Sequence, residues 1–428
     1  MEPVIVIGNG IAGISCARHL RKQSDVPICI ISEEDPYFFS RTALMYVYMG
    51  HMPWKDLYPY EPHFWKKNRL DLVQDRVTRI APDTQTLVLQ SGKEMRYSQL
   101  VLALGSKPRS LAIPGIDFTG VQGLYHKQDL EQLEALTPKI QRASVIGGGL
   151  IGVELAEMLH SRGIEVDFWV RESSFWNNVL PPEESAMLHT HIRQHGIRLH
   201  LNTEIKALYG NAAGEVSQIQ AQELAPQPCD FVGVTVGVEP HIDFLRETSL
   251  ETDRGILVNP YLETSWEGVY AIGDCAQLQS PPKGRRSTEA VWYVGRMMGE
   301  TLAQTLAGKR TPYRPGPWFN SAKFFDIEYQ TYGAVSAQPD PEKESQRFWK
   351  HPTANRLIRF SFDPRNDQFL GVNSLGIRLR HAYFDQHLNR NSTLEEVLAD
   401  LRQAYFEPEF SPQYHNQILK VISTSEAL

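Results

Sequence analysis

The first residues able to do chemistry are three glycines in the run Gly8-Asn9-Gly10-Ile11-Ala12-Gly13. Each has its own task in a turn that binds a pyrophosphate. Gly8 turns the chain, Gly10 lets the backbone approach the phosphates, and Gly13 lets a helix pack closely on the strand before it. The helix that opens at Ile11 and Ala12 offers unpaired N–H groups and the favourable end of its dipole to the anion. A dinucleotide also needs an acid for its ribose, and Glu33 stands 25 positions beyond Gly8, where such an acid belongs. Its neighbour Glu34 is read as the plain exposed glutamate of the pair.

The elements that must position these residues are short. Val4-Ile5-Val6-Ile7 and Ile28-Cys29-Ile30-Ile31 are apolar runs of strand length and read as buried parallel strands. Leu100 to Ser106 is another, running through Ala103 and Gly105 into a turn. At Ala143-Ser144-Val145-Ile146 the pattern begins again, with Gly147-Gly148-Gly149-Leu150-Ile151-Gly152 opening a second helix. Two pyrophosphate turns in one chain predict two cofactors that exchange a hydride. In the second unit the ribose position falls at Val170, directly before Arg171. An arginine there pairs with a 2'-phosphate, which favours NADPH, while Glu172 keeps NADH open. The chain then runs through Phe231 to Gly237 and returns at Gly255 to Val258 and Val269 to Asp274, where Gly273-Asp274 sets a carboxylate at the end of a strand.

A chain of 428 residues allows about three domains. A net charge of -7 argues against broad nucleic-acid binding. No apolar run approaches the roughly 18 residues of a membrane span, and a strand beginning at Val4 leaves no room for a signal peptide, so the expectation is a cytoplasmic protein. Cys16, Cys29, Cys229 and Cys275 are scattered without a CxxC, which predicts neither a disulfide scaffold nor a metal site.

Taken in order, the first glycine motif with Glu33, the segment Leu102 to Arg109, the second glycine motif, Val236-Gly237-Val238-Glu239-Pro240 and Thr264 to Asp274 resemble the two-dinucleotide flavoproteins of the pyridine nucleotide-disulfide oxidoreductase superfamily. The resemblance covers about residues 1 to 310. It implies an α/β fold: an FAD domain (1–112 and 243–313) interrupted by an NAD(P)H domain (113–242), then a C-terminal α+β domain (314–428) for interface or dimerisation. It implies FAD at the first unit, with Glu33 on the adenosine ribose, Arg41 in the flavin-side loop, the Val77 backbone near adenine and Asp274 on the ribityl chain. It implies NADPH or NADH at the second, with Glu154 near the nicotinamide as the candidate catalytic group.

Within that superfamily the cysteines choose the branch. Thr42 stands about where a single reactive cysteine would be, so direct disulfide chemistry is not expected. Pro317-Trp318-Phe319-Asn320-Ser321 and Phe324-Phe325-Asp326 resemble the C-terminal opening of ferredoxin and rubredoxin reductases, nitrite reductase flavin domains and apoptosis-inducing-factor-like proteins. The chain departs from that branch at Met45 and Tyr46, where a lysine often follows the loop leucine, which leaves Glu154 without its usual cation. The function implied is hydride transfer from NAD(P)H to FAD, with electrons passed to a small redox protein of the ferredoxin or rubredoxin type. A quinone reductase and an apoptosis-inducing-factor-like interaction protein are the alternatives, and a homodimer is expected. Lys283, Arg285 and Arg286 are candidate docking cations, on or just before a helix starting near Ser287 that carries Trp292 and Tyr293. Further on, Arg356 to Phe362 and Phe369 to Leu375 read as paired strands, two helices should follow, and Ser392 with Glu395 reads as a capping box.

Overall fold

The computed structural model describes residues 2–407 and 409–424. The chain divides into two compact units. Unit 1 takes the chain up to Arg109, Tyr125–Ala135 and Gly237–Pro315; unit 2 takes Ser110–Leu124, Leu136–Val236 and the chain from Gly316 onward.

Unit 1 is built on five parallel strands in the order Val269–Ala271, Gln99–Leu102, Val4–Ile7, Ile28–Ser32, Leu70–Gln74. The central strand is apolar throughout because both its faces are covered, and Ile5 and Val6 are fully buried. Register aligns Ile7 with Ile31 on one side and Leu102 on the other, and Leu102 with Ala271. The glycine turn, Glu33, Ala103 and the Gly273-Asp274 turn therefore all leave the sheet at its carboxyl edge, where open α/β sheets bind ligands.

The helix Ile11–Arg21 packs against the helix Trp292–Leu306 at backbone distance, for a Cβ on Gly299 would lie 2.4 Å from the Ala12 carbonyl oxygen. This second helix starts at Trp292, not near Ser287 as expected. The Ser287 carbonyl accepts from Leu278 N (2.8 Å), which ties it to a strand end and withholds it from a helical ladder.

Unit 2 repeats the plan with parallel strands in the order Arg198–His200, Glu165–Trp169, Arg142–Ile146, Phe231–Val234, Val121–Gln122. It also holds a five-stranded antiparallel sheet, Phe319–Phe324, Ile327–Gly333, Phe369–Leu375, Leu357–Phe362, Ser345–Lys350. Phe360, Val372, Phe384, Val397 and Ile418 form a core between that sheet and three helices, one more than expected. The fold is thus α/β with two Rossmann-like sheets and a C-terminal α+β region. The capping box falls one residue later than expected, on Thr393 and Glu396. Ser392 is engaged elsewhere: its carbonyl accepts from Phe369 N (2.8 Å) and its hydroxyl lies 3.0 Å from His387 Nδ1.

Candidate functional site: two glycine turns and their carboxylates

Packing explains two glycines of each motif and leaves the third unexplained. Gly8 has φ +105°, and a Cβ on it would meet the Ala103 carbonyl oxygen at 2.1 Å; one on Gly13 would meet the Gly8 carbonyl oxygen at 2.1 Å. A Cβ on Gly10 meets nothing within 4 Å. The second turn matches: Gly147 (φ +123°) faces the Thr235 oxygen at 2.4 Å and Gly152 the Gly147 oxygen at 2.2 Å, while Gly149 faces open space. The middle glycine keeps backbone bare beside a helix start. Neither helix, Ile11–Arg21 or Leu150–Ser161 with Ile151 in its first turn, has a side-chain cap or an acid in that turn. Their first N–H groups are left to an anion, so both turns suit a dinucleotide pyrophosphate.

The acids after the second strand of unit 1 differ from the sequence expectation. Glu33 is exposed, with Arg76 Nε 3.5 Å from its carboxylate. Glu34, read as the exposed one, is only 14% exposed. It accepts from Arg41 Nη1 (3.1 Å) and Lys127 N (2.8 Å), with His126 Nδ1 at 3.6 Å. Burial pushes its pKa up, but the His126 and Arg41 contacts outweigh burial and hold it at about 2. Arg41 also donates to the Tyr125 carbonyl and stacks over the Tyr125 ring, 4.6 Å from its centroid.

Lys127 Nζ reaches buried Asp35 at 2.9 Å, and Tyr58 Oη donates to the same carboxylate at 2.9 Å. Residues 125–127 are thereby tied to the loop after the second strand. Nothing local in the sequence around Tyr125 signals that return.

Asp274 sits in a short turn, Gly273–Cys275, and accepts from Ser106 Oγ (2.9 Å). Burial raises its pKa against the pull of Ser106 and Arg41. Tyr125 Oη accepts from Ser106 N (3.1 Å), and Gly105 (φ +69°) lies beside that ring. Ala103, buried, supplies the oxygen that Gly8 must clear. Val238–Pro240 pairs antiparallel with Ser106–Pro108, and the Gly237 carbonyl accepts from Arg109 N (3.0 Å). Val77 is buried at the head of a separate three-stranded antiparallel sheet.

Glu154 lies in the second turn of the helix Leu150–Ser161, too far along for the dipole to favour its charge. Burial first, and the Glu157 carboxylate second, push its pKa up to about 7. Arg171 is 73% exposed and donates to Glu172 (2.8 Å) at the end of the second strand of this sheet.

All four cysteines are free and buried. Burial pushes the Cys275 thiol up to about 12, so it supplies no thiolate at neutral pH. Of the three candidate docking cations, Arg285 is withdrawn: its side chain is 4% exposed and paired with Glu289 (Nε to Oε1 2.8 Å), which leaves Lys283 and Arg286 exposed.

Two parallel sheets, each leading a glycine turn into an uncapped helix, together with buried, unpaired cysteines, define an oxidoreductase of two dinucleotides without a redox-active disulfide. Residues 2–299 match the pyridine nucleotide-disulphide oxidoreductase family, and the chain belongs to it. Membership implies FAD and NAD(P)H as its cofactors. The chain is 30% identical over 326 residues to rhodocoxin reductase of Rhodococcus erythropolis, covering 75% of this chain and 76% of that protein. It is 28% identical over 340 residues to the ferredoxin reductase subunit of 5,5'-dehydrodivanillate O-demethylase of Sphingobium sp., covering 78% and 82%. The ferredoxin reductase of the CYP199A2 system of Rhodopseudomonas palustris superposes with a TM-score of 0.84 at 25% identity, covering 96% of this chain and 98% of that one. No helix among the described residues is long and apolar enough to cross a membrane.

Proposed function

We propose that this chain is an NAD(P)H-dependent flavin reductase that passes electrons to a small redox protein of the ferredoxin or rubredoxin type. The observation that carries the reading is the pair of middle glycines, Gly10 and Gly149, bare beside uncapped helix starts. The named relatives, reductases of such carriers, support the acceptor class. Bound FAD would supply the redox chemistry between NAD(P)H and the acceptor.

The chain's own residues bind and orient. Residues 8–13 would hold the FAD pyrophosphate and Glu33 the adenosine ribose. Asp274, fixed by Ser106, would hold the flavin's ribityl chain, with Val77, Ala103, Gly105 and Gly237 as the further FAD-side residues. Arg41 holds the flavin-side loop through Glu34. Residues 147–152 would hold the NAD(P)H pyrophosphate, and Arg171 would favour the 2'-phosphate of NADPH. Glu154 holds a proton near neutral pH and is the group facing the nicotinamide end. A homodimer belongs to the same reading, and sedimentation of the FAD-loaded protein at several concentrations checks it.

The test is an anaerobic stopped-flow mix of the FAD-loaded protein with NADPH and, separately, NADH. Rapid bleaching of the flavin, faster with NADPH, followed by multiple turnover with a ferredoxin or rubredoxin, is the expected result. Bleaching by neither nucleotide would overturn the reductase reading, and turnover with quinone alone would move the acceptor to a small molecule.

A further inference from the structure

Unit 2 brings together two histidines and an aspartate that the nucleotide turns do not use. His191 and its neighbour four residues on, His195, lie on one face at the end of the helix Pro182–Gln194. Asp326 comes from the two-residue tip, Phe325-Asp326, of the hairpin joining Phe319–Phe324 to Ile327–Gly333. One ring nitrogen of each histidine and one oxygen of Asp326 lie within 4.8 Å of one another.

The second observation is an unmet nitrogen. His191 is 4% exposed, and its Nε2 is buried without a hydrogen bond although Asp326 Oδ1 stands 2.6 Å away, an approach whose angles do not suit one. Native proteins rarely leave a buried polar atom so. The opposite ring nitrogens are held. His195 Nδ1 lies 2.9 Å from the His191 carbonyl and as donor fixes the tautomer that leaves Nε2 with its lone pair. The Asn355 side-chain amide lies 3.0 Å from His191 Nδ1 and holds that ring from the side away from Asp326. Outer hydrogen bonds of this kind orient metal-bound histidines.

We propose that His191, His195 and Asp326 bind a divalent transition metal ion, with Zn²⁺ best suited to two imidazoles and one carboxylate. The Asp326 side chain is 78% exposed, so water completes the coordination from the open side. The site lies outside both glycine turns, and its bound ion would clamp the hairpin tip to the helix end.

The experiment uses the full FAD-loaded chain, prepared without a polyhistidine tag and stripped with a chelator, titrated with Zn²⁺ by calorimetry and with Co²⁺ by visible absorption beyond the flavin bands. The expected result is one ion per chain, with affinity falling at least about 10-fold in both His195→Ala and Asp326→Asn. Both variants should keep wild-type flavin content and reduction by NAD(P)H, which separates loss of the metal from loss of the fold. No stoichiometric Zn²⁺ binding by the wild type would overturn the proposal, as would equal binding by wild type and both variants. A buried His191→Ala variant that fails to fold decides nothing by itself, so the test rests on the other two positions.

Discussion

The two nucleotide folds share a backbone plan and treat their carboxylates in opposite ways. In unit 1, Glu34 is surrounded by Arg41, His126 and the Lys127 amide and stays ionised down to a pH of about 2. In unit 2, Glu154 has burial and a second carboxylate, Glu157, around it and takes up a proton at a pH of about 7. The first is a strut that binds a returning segment of chain; the second is a group whose protonation changes within the working range of the enzyme. A glycine turn therefore specifies where a dinucleotide lies but not the electrostatics beside it.

The largest effects test what the folds share. Gly8→Ala should cost more than about 3 kcal/mol, since the new methyl has only backbone to displace and φ is left-handed. Gly10→Ala should leave thermal unfolding of the apoprotein nearly unchanged while weakening FAD retention about 10-fold. In unit 2 the pair Gly147→Ala and Gly149→Ala should divide in the same way, with NAD(P)H affinity lost and flavin retained. If the middle-glycine variants unfold as early as the first-glycine ones, the middle positions serve packing and the shared plan is not a ligand plan.

Next come the two glutamates. The folded-state pKa of Glu34 is depressed, so its stabilisation is present above the unfolded value of about 4.5 and is lost as pH falls towards about 2. Glu34→Gln should cost about 2–3 kcal/mol at pH 7 in denaturant titrations, and the difference from wild type should shrink through that acid window. For Glu154 the sign reverses. A raised carboxyl pKa penalises the folded state increasingly from about pH 4.5 to about 7, so Glu154→Gln should be stabilised by roughly 1–3 kcal/mol at pH 8 and by almost nothing at pH 4. Equal pH profiles for the two variants would erase the contrast.

The smallest effect on stability belongs to Arg171→Ala, within about 0.5 kcal/mol because the side chain is exposed. Its expected signature is kinetic: kcat/KM with NADPH falls about 10-fold while that with NADH holds.

Much of this was legible in the sequence because it was local. A glycine that must clear a carbonyl and a four-residue apolar run buried on both faces leave marks in a short window, and the central strands of both parallel sheets, their glycine turns and the paired strands Leu357–Phe362 and Phe369–Leu375 are visible that way, while the edge strand Val121–Gln122 is not. What was hidden depends on distant partners. Glu34 looks exposed until Arg41 and residues 126–127 close over it. Arg285 looks like a docking cation until Glu289 buries it. The helix starts at Trp292 because the Ser287 carbonyl serves a strand 9 positions earlier. His191 and His195 carry a visible four-residue spacing, but nothing near them announces Asp326, more than a hundred positions on.

The path of the backbone has a consequence for biosynthesis. Unit 1 is assembled from three separated stretches, and its edge strand Val269–Ala271 and the helix Trp292–Leu306 come from the last of them. At translation rates of about 5–20 residues per second, the ribosome needs roughly 8 to 34 s to go from Leu102 to Ala271. Through that interval the strand Gln99–Leu102 waits with one edge unpaired, an invitation to wrong partners that a nascent-chain chaperone would be placed to cover.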